Sequence, residues 1–276
     1  MLPFRQVDVF SAAPLLGNPV AVVHDADGLD DEAMAAFARW TNLSETTFLL
    51  APTMPGADYR LRIWTPGGEL PFAGHPTLGS AHAWLEAGGV PAGDDVVQEC
   101  GAGLVRLRRD EAGRLSFQAP PLTRSGPVSA TDLGAIGRAL RLPESAVVES
   151  TWIDNGPGWV GVLLDSADAV LALDPDFAAF GDLKIGVVGP YDEGPLAIEV
   201  RAFCPGYGPA EDPVTGSLNA GIGQWLAGSR LPSSYVAGQG TVLGRAGRVH
   251  VRREGQEVWV GGDTRTTIVG TVGLDA

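Results

Sequence analysis

Glu211-Asp212-Pro213-Val214-Thr215-Gly216-Ser217 reads as a proline-broken loop running into a helix, and a weaker echo of it, Gly74-His75-Pro76-Thr77-Leu78-Gly79-Ser80, stands earlier in the chain. Setting Pro76 on Pro213 brings Gly79 onto Gly216, Ser80 onto Ser217 and Ala83 onto Ala220. Upstream of each copy a strand-like run ends in proline: Arg62-Ile63-Trp64-Thr65-Pro66 in the first, Arg201-Ala202-Phe203-Cys204-Pro205 in the second. One turn design is used twice, which predicts two similar halves.

A helix that opens at Gly-Ser after a proline loop presents unpaired backbone N–H groups, backed by the positive end of the helix dipole, and such a place holds an anion. A duplicated chain folded about a pseudo-twofold axis can turn two such helix starts toward one cleft. In the proline alignment His75 and Asp212 are equivalent, so they are expected to meet one ligand from opposite sides.

The length of 276 residues suits two domains of ordinary size. The proline-rich run Pro120 to Pro127 marks the boundary, giving halves 1–125 and 126–276, with the last strand able to cross back. A formal charge of −14, with no basic stripe, excludes nucleic acid as a partner. Lys184 is the sole lysine and reads as coding bias. Cys100 and Cys204 are too few for a disulfide scaffold and lack metal-site spacing, so both are expected to be inert buried side chains and no metal is expected. The first residues alternate like a strand rather than a leader peptide, and no apolar run approaches the ~18 residues a membrane span needs. Together these predict a cytoplasmic protein with no membrane partner.

Along the chain, strands are predicted at Phe4 to Phe10, Pro19 to Val23, Thr46 to Leu50 and Tyr59 to Trp64, with a helix from Asp30 to Trp40 capped by Asp30 or Asp31. A helix over Thr77 to Ala87, stopped by Gly88-Gly89, and a second over Ser217 to Ala227 carry little polar surface. In the second half, strands are predicted at Ser145 to Ile153, Trp159 to Leu164, Lys184 to Val188 and Ala197 to Phe203, with a helical run from Asp165 to Leu173. The pattern predicts an α+β fold in which each half is a curved, mostly antiparallel sheet wrapped around one apolar helix.

Glu45 enters a strand between Leu43 and Phe48. A carboxyl group so placed can lose hydration and rise in pKa toward the range useful for general acid and base work. His75 lies between Gly74 and Pro76, Asp212 precedes Pro213, and Ser217 opens the second helix. Each has a bland alternative as a backbone-bonded histidine, a turn residue or a cap. Together, however, Glu45, His75, Asp212 and Ser217 supply an acid/base, a second titratable group, an acceptor and a donor, as a proton-transfer site requires. Gly74, Thr77 and Ser80 at the first helix start, and Gly216 beside Ser217 at the second, are candidate substrate-binding residues. No dinucleotide loop and no Gly-x-Ser-x-Gly elbow is present.

These stretches, with Asn18-Pro19-Val20-Ala21-Val22-Val23, Asn42-Leu43-Ser44-Glu45-Thr46-Thr47-Phe48-Leu49, Pro71-Phe72-Ala73-Gly74-His75-Pro76-Thr77 and Gln239-Gly240, resemble in order and spacing the PhzF-like phenazine-biosynthesis family. The resemblance implies the diaminopimelate-epimerase-like fold, commonly as a homodimer, and a cofactor-free isomerase acting on a small carboxylate. The founding member acts on trans-2,3-dihydro-3-hydroxyanthranilate, where the glutamate matching Glu45 moves a proton between ring carbons. Related epimerases use two cysteines at the helix starts, which this chain lacks. Two further readings stay open: a racemase or epimerase of a small acid, and a ligand-binding protein that keeps the fold.

Overall fold

The computed structural model describes residues 1–206 and 209–274. Elements run β1 (Leu2–Val9), β2 (Asn18–Val23), α1 (Asp31–Thr41), β3 (Glu45–Leu50), β4 (Tyr59–Thr65), β5 (Gly68–Leu70), α2 (Gly74–Glu86), β6 (Val96–Cys100), β7 (Gly103–Arg109) and β8 (Leu115–Gln118). They continue β9 (Arg124–Pro127), α3 (Ala130–Leu140), β10 (Glu149–Asp154), β11 (Trp159–Leu163), α4 (Ala167–Leu171), β12 (Lys184–Pro190), β13 (Ile198–Phe203), β14 (Glu211–Asp212), α5 (Gly216–Leu226), β15 (Ser234–Gln239), β16 (Gly247–Glu254), β17 (Glu257–Gly262) and β18 (Thr264–Val272). The fold is α+β.

Two compact units form, one from 1–118 with 261 onward, the other from 119–260. The Pro120 to Pro127 run lies inside the second unit, because Arg124–Pro127 is itself a strand paired with β10. In the first unit β18, β1, β2, β3 and β4 lie side by side. β5 and β6 then share β4, and β7 and β8 follow. The second unit repeats this as β9, β10, β11, β12 and β13, with β14 and β15 sharing β13. Even the parallel pairs recur in place: β2 with β3 and β4 with β6, then β11 with β12 and β13 with β15.

A duplicated ion pair marks the repeat. Arg62 grips Glu69 with Nε and Nη2 at 2.7 and 2.6 Å, and Arg201 grips Glu211 with the same atoms at 2.9 and 2.8 Å. Each guanidinium also lies over the aromatic ring two residues on, Trp64 or Phe203. The second copy is buried and also donates to the carbonyls of Val170 and Leu173.

Each unit covers one sheet face with an apolar helix. Almost the whole first two turns of α2 and of α5 are buried. Close approach requires glycine: a Cβ at Gly79 of α2 would lie 2.4 Å from Val20 Cγ1, and one at Gly221 of α5 would lie 2.5 Å from the Ile153 carbonyl oxygen. On the opposite faces α1 packs through Met34, Phe37 and Ala38, and α3 and α4 pack through Ile136, Leu140 and Val170. Two predicted elements are shorter than expected. The strand read from Ser145 begins at Glu149 because Glu144–Ala146 is a turn of 3₁₀ helix, and the helical run after Asp165 ends at Leu171.

Candidate active site

Glu45 is the first residue of β3, and local chemistry sets it there. Helix α1 ends at Asn42 in the left-handed conformation (φ 54°), a conformation asparagine tolerates, which turns the chain directly into the strand. Thr41 and Thr46 hydroxyls, 2.8 Å apart, then brace that turn. The Glu45 side chain is 15% exposed, and its Oε2 lies 3.4 Å from Nε2 of buried His75, long for a formed hydrogen bond. Asn18 Nδ2 approaches the other ring nitrogen, Nδ1, at 3.3 Å. Burial lowers the pKa of His75 to about 3, against an opposing bond with the Pro19 backbone, so the imidazole is neutral at ordinary pH.

In the second unit, Asp212 closes β14, opposite Ala202. Its Oδ2 accepts the Thr215 hydroxyl at 2.5 Å. The buried amide of Gln239 then ties the loop together, Oε1 accepting from Thr215 N at 3.0 Å and Nε2 donating to the Asp212 carbonyl at 3.2 Å. Asn219 adds bonds to the Thr215 carbonyl and to Gln239 Oε1, both at 2.9 Å. Ser217 is held from its other side. Trp159 Nε1 donates to its hydroxyl at 3.0 Å, and Asn155 Nδ2 donates to its carbonyl at 2.8 Å.

The structure corrects the expected equivalence of His75 and Asp212. Helix α2 begins at Gly74, so Pro76 is already inside it, where a missing N–H costs no helical bond. Helix α5 begins at Gly216, three residues after Pro213. Matching first residues, Gly74 with Gly216, sets His75 against Ser217 and Gly79 against Gly221, and those two glycines are the ones pressed on the sheets. Strand register sets Asp212, beside Ala202, against Leu70, beside Ile63.

Two candidate binding residues are otherwise engaged. Ser80 donates to Thr47 Oγ1 at 2.9 Å, and Thr77 accepts from Gln98 at 3.0 Å; both are fully buried under the sheet. Gly74 and Gly216 open their helices as the sequence suggests. Cys204 and Cys100 are only partly buried, contrary to expectation. Asn18, Gln239, Asn155 and Trp159 were not singled out as site residues. Asn18-Pro19 and Gln239-Gly240 were visible as motifs, but their partners lie 57 and 24 residues away. Among the described residues, no group of three or more His, Cys, Asp or Glu is arranged to hold a metal, and no helix is long and apolar enough to cross a membrane.

The sequence profile of the phenazine biosynthesis-like proteins, PhzC/PhzF, matches residues 7–272. The chain belongs to this family. Among PhzC/PhzF relatives, antisense-enhancing sequence 1 of Schizosaccharomyces pombe is 40% identical over 288 residues, covering 97% of each chain. The trans-2,3-dihydro-3-hydroxyanthranilate isomerase of Pseudomonas aeruginosa is 38% identical over 256 residues, covering 90% of this chain and 89% of its own. A crystal structure of a PhzF-family phenazine biosynthesis protein from Enterococcus faecalis superposes with a TM-score of 0.79 at 25% identity, covering 98% of both chains. The PhzC/PhzF family thus includes isomerases, and this chain shares their fold along almost its full length.

Proposed function

We propose that this PhzC/PhzF protein is an isomerase that moves a proton between carbons of a small carboxylated metabolite without a cofactor. Glu45 takes up and returns the proton. Asp212 and Ser217 serve the same reaction by orienting the substrate's polar groups. The observation that carries this reading is the pairing of the Glu45 carboxyl with an imidazole that burial keeps neutral. A protonated histidine would lock the carboxylate in an ion pair. A neutral ring instead orients the carboxyl group while leaving it able to gain and lose a proton. Removing a proton beside an electron-withdrawing group builds negative charge, which backbone N–H groups at a helix start stabilise.

The test is solvent exchange. Trans-2,3-dihydro-3-hydroxyanthranilate and a panel of cyclic and acyclic amino and hydroxy acids are incubated with enzyme in heavy water. Deuterium is expected in a product with a shifted double bond. Loss of optical activity without that shift would assign a racemase instead. Full turnover by Glu45→Gln would overturn the assignment of the proton carrier.

A further inference from the structure

Gln239 ends β15 with no exposed surface, and the start of α5 and the loop before it take up its whole side-chain amide. Oε1 accepts from Thr215 N at 3.0 Å and from Asn219 Nδ2 at 2.9 Å. Nε2 donates to the Asp212 carbonyl at 3.2 Å and to Thr215 Oγ1 at 3.0 Å. Such an amide offers two lone pairs and two protons, so all four are in use. A backbone N–H only donates and a carbonyl only accepts, which settles which end of the amide is oxygen. The Thr215 hydroxyl, already receiving a proton from Nε2, sends its own to Asp212 Oδ2, 2.5 Å away. The three groups form a chain with one direction, from amide to hydroxyl to carboxylate.

The first unit has the brace without the relay. There Gln98 of β6 donates to Thr77, the residue of α2 that matches Asn219 of α5 when the helix starts are aligned, and its oxygen takes the Tyr59 hydroxyl at 3.1 Å. Both of those partners are neutral. Bracing a helix start therefore needs one such bond, and the added pair from Gln239, to the Asp212 carbonyl and the Thr215 hydroxyl, serves the acidic loop. An O–H group on a carboxylate is a strong class of hydrogen bond and favours the charged form. Within the second unit the other charged or titratable groups around Asp212 are Lys184 on the same sheet face, with Cys204 and Asp154 close to it, and Arg245, packed on Gly240 beside Pro213. Glu211 turns to the opposite face and pairs with Arg201, and α5 carries no ionisable side chain.

We propose that Gln239 and Thr215 are positioning residues acting on Asp212: the buried amide aims the Thr215 hydroxyl, and the hydroxyl holds the carboxyl group in one rotamer and in its charged form. This rests on the reading that Asp212 orients the substrate's polar groups. Gln239 works at one remove, through a hydroxyl that would otherwise be free to turn about its own bond.

Aspartate labelled with carbon-13 at Cγ reports the charge of Asp212, its signal identified by its loss in Asp212→Asn. Thr215→Val keeps the β-branched shape and removes the hydroxyl. Losing a donor to the charged form should raise the midpoint of the Asp212 titration by roughly one to two pH units. Gln239→Met should raise it by less, and Thr215→Ser should return it. With trans-2,3-dihydro-3-hydroxyanthranilate in heavy water, the acid limb of kcat/KM for deuterium uptake should rise by the same amount in Thr215→Val and return in Thr215→Ser. A midpoint unmoved in folded Thr215→Val overturns the proposal, and so does a midpoint that moves while the acid limb stays. Should Thr215→Val fail to fold, the Thr215 hydroxyl proton of the unaltered chain decides: held on a carboxylate it exchanges slowly and gives a resolved signal, and exchange as fast as that of an exposed hydroxyl overturns the chain. The carboxyl titration needs no substrate, so the two readings fail separately. A shifted midpoint with no acid turned over leaves the chain standing and removes the isomerase, whereas an unmoved midpoint in a protein that exchanges deuterium removes the chain alone.

Discussion

His75 stands between Asn18 and Glu45, with Nδ1 3.3 Å from the asparagine amide and Nε2 3.4 Å from the glutamate carboxyl, so one buried ring touches both the amide and the acid. Glu45→Gln keeps the shape and removes the proton-carrying group. Deuterium incorporation should fall by about 10²- to 10⁴-fold, the usual worth of a positioned acid or base, while the thermal midpoint changes little. Mass spectrometry of product from heavy water checks it.

Acid should destabilise the fold through its buried histidines. The folded pKa is about 3 for His75 and about 4 for His24, against an ordinary 6.5. Between those values and 6.5 the unfolded chain binds more protons than the native one. Stability is therefore fully present above about 6.5 and is lost as pH falls toward 3, at up to about 1.4 kcal/mol per pH unit from His75. Urea unfolding at pH 4.5, 5.5 and 7 should show that slope, and His75→Asn should flatten it.

Alanine should harm the two apolar helices where it would ordinarily help. In an exposed helix, glycine to alanine gains about 1 kcal/mol. A Cβ at Gly79 would instead meet the Val20 side chain, and one at Gly221 would meet the Ile153 carbonyl, an atom that cannot turn aside. Gly79→Ala should cost about 1–3 kcal/mol, and Gly221→Ala more. Chemical denaturation of both variants measures the order.

The twin arginine clamps should differ in worth. In the first unit the Arg62 and Glu69 side chains are 16% and 38% exposed; in the second, Arg201 and Glu211 are 4% and 8% exposed. Arg62→Met should cost about 1 kcal/mol or less, because water solvates the released glutamate. Arg201→Met strands a buried carboxylate and should cost about 3–5 kcal/mol. Adding Glu211→Gln to Arg201→Met should return part of that loss.

The α+β class, the repeat and the two apolar helices were legible because strand-proline-helix order and runs of small residues are local signals. The register between the copies was not. Proline is harmless in a first helical turn, so Pro76 sits inside α2 while Pro213 lies outside α5, and similar letters mark different places. Thr77 and Ser80 misled for a related reason: α2 is buried on nearly every side of its first two turns, so a hydroxyl near its start is satisfied by the sheet. Asn18 and Gln239 act on residues distant in sequence, which no spacing rule reveals.

Strand β18 pairs along the whole of β1, from Leu2 opposite Val272 to Val9 opposite Thr264. The first unit therefore stays open at that edge until translation has passed through the second, whose residues 119–260 are contiguous. On the ribosome the later-made unit is thus the first able to close, and the earlier-made one waits with an open strand edge that invites aggregation. Residues 119–260 expressed alone should fold cooperatively, and 1–118 should not until a peptide covering 261–276 is supplied.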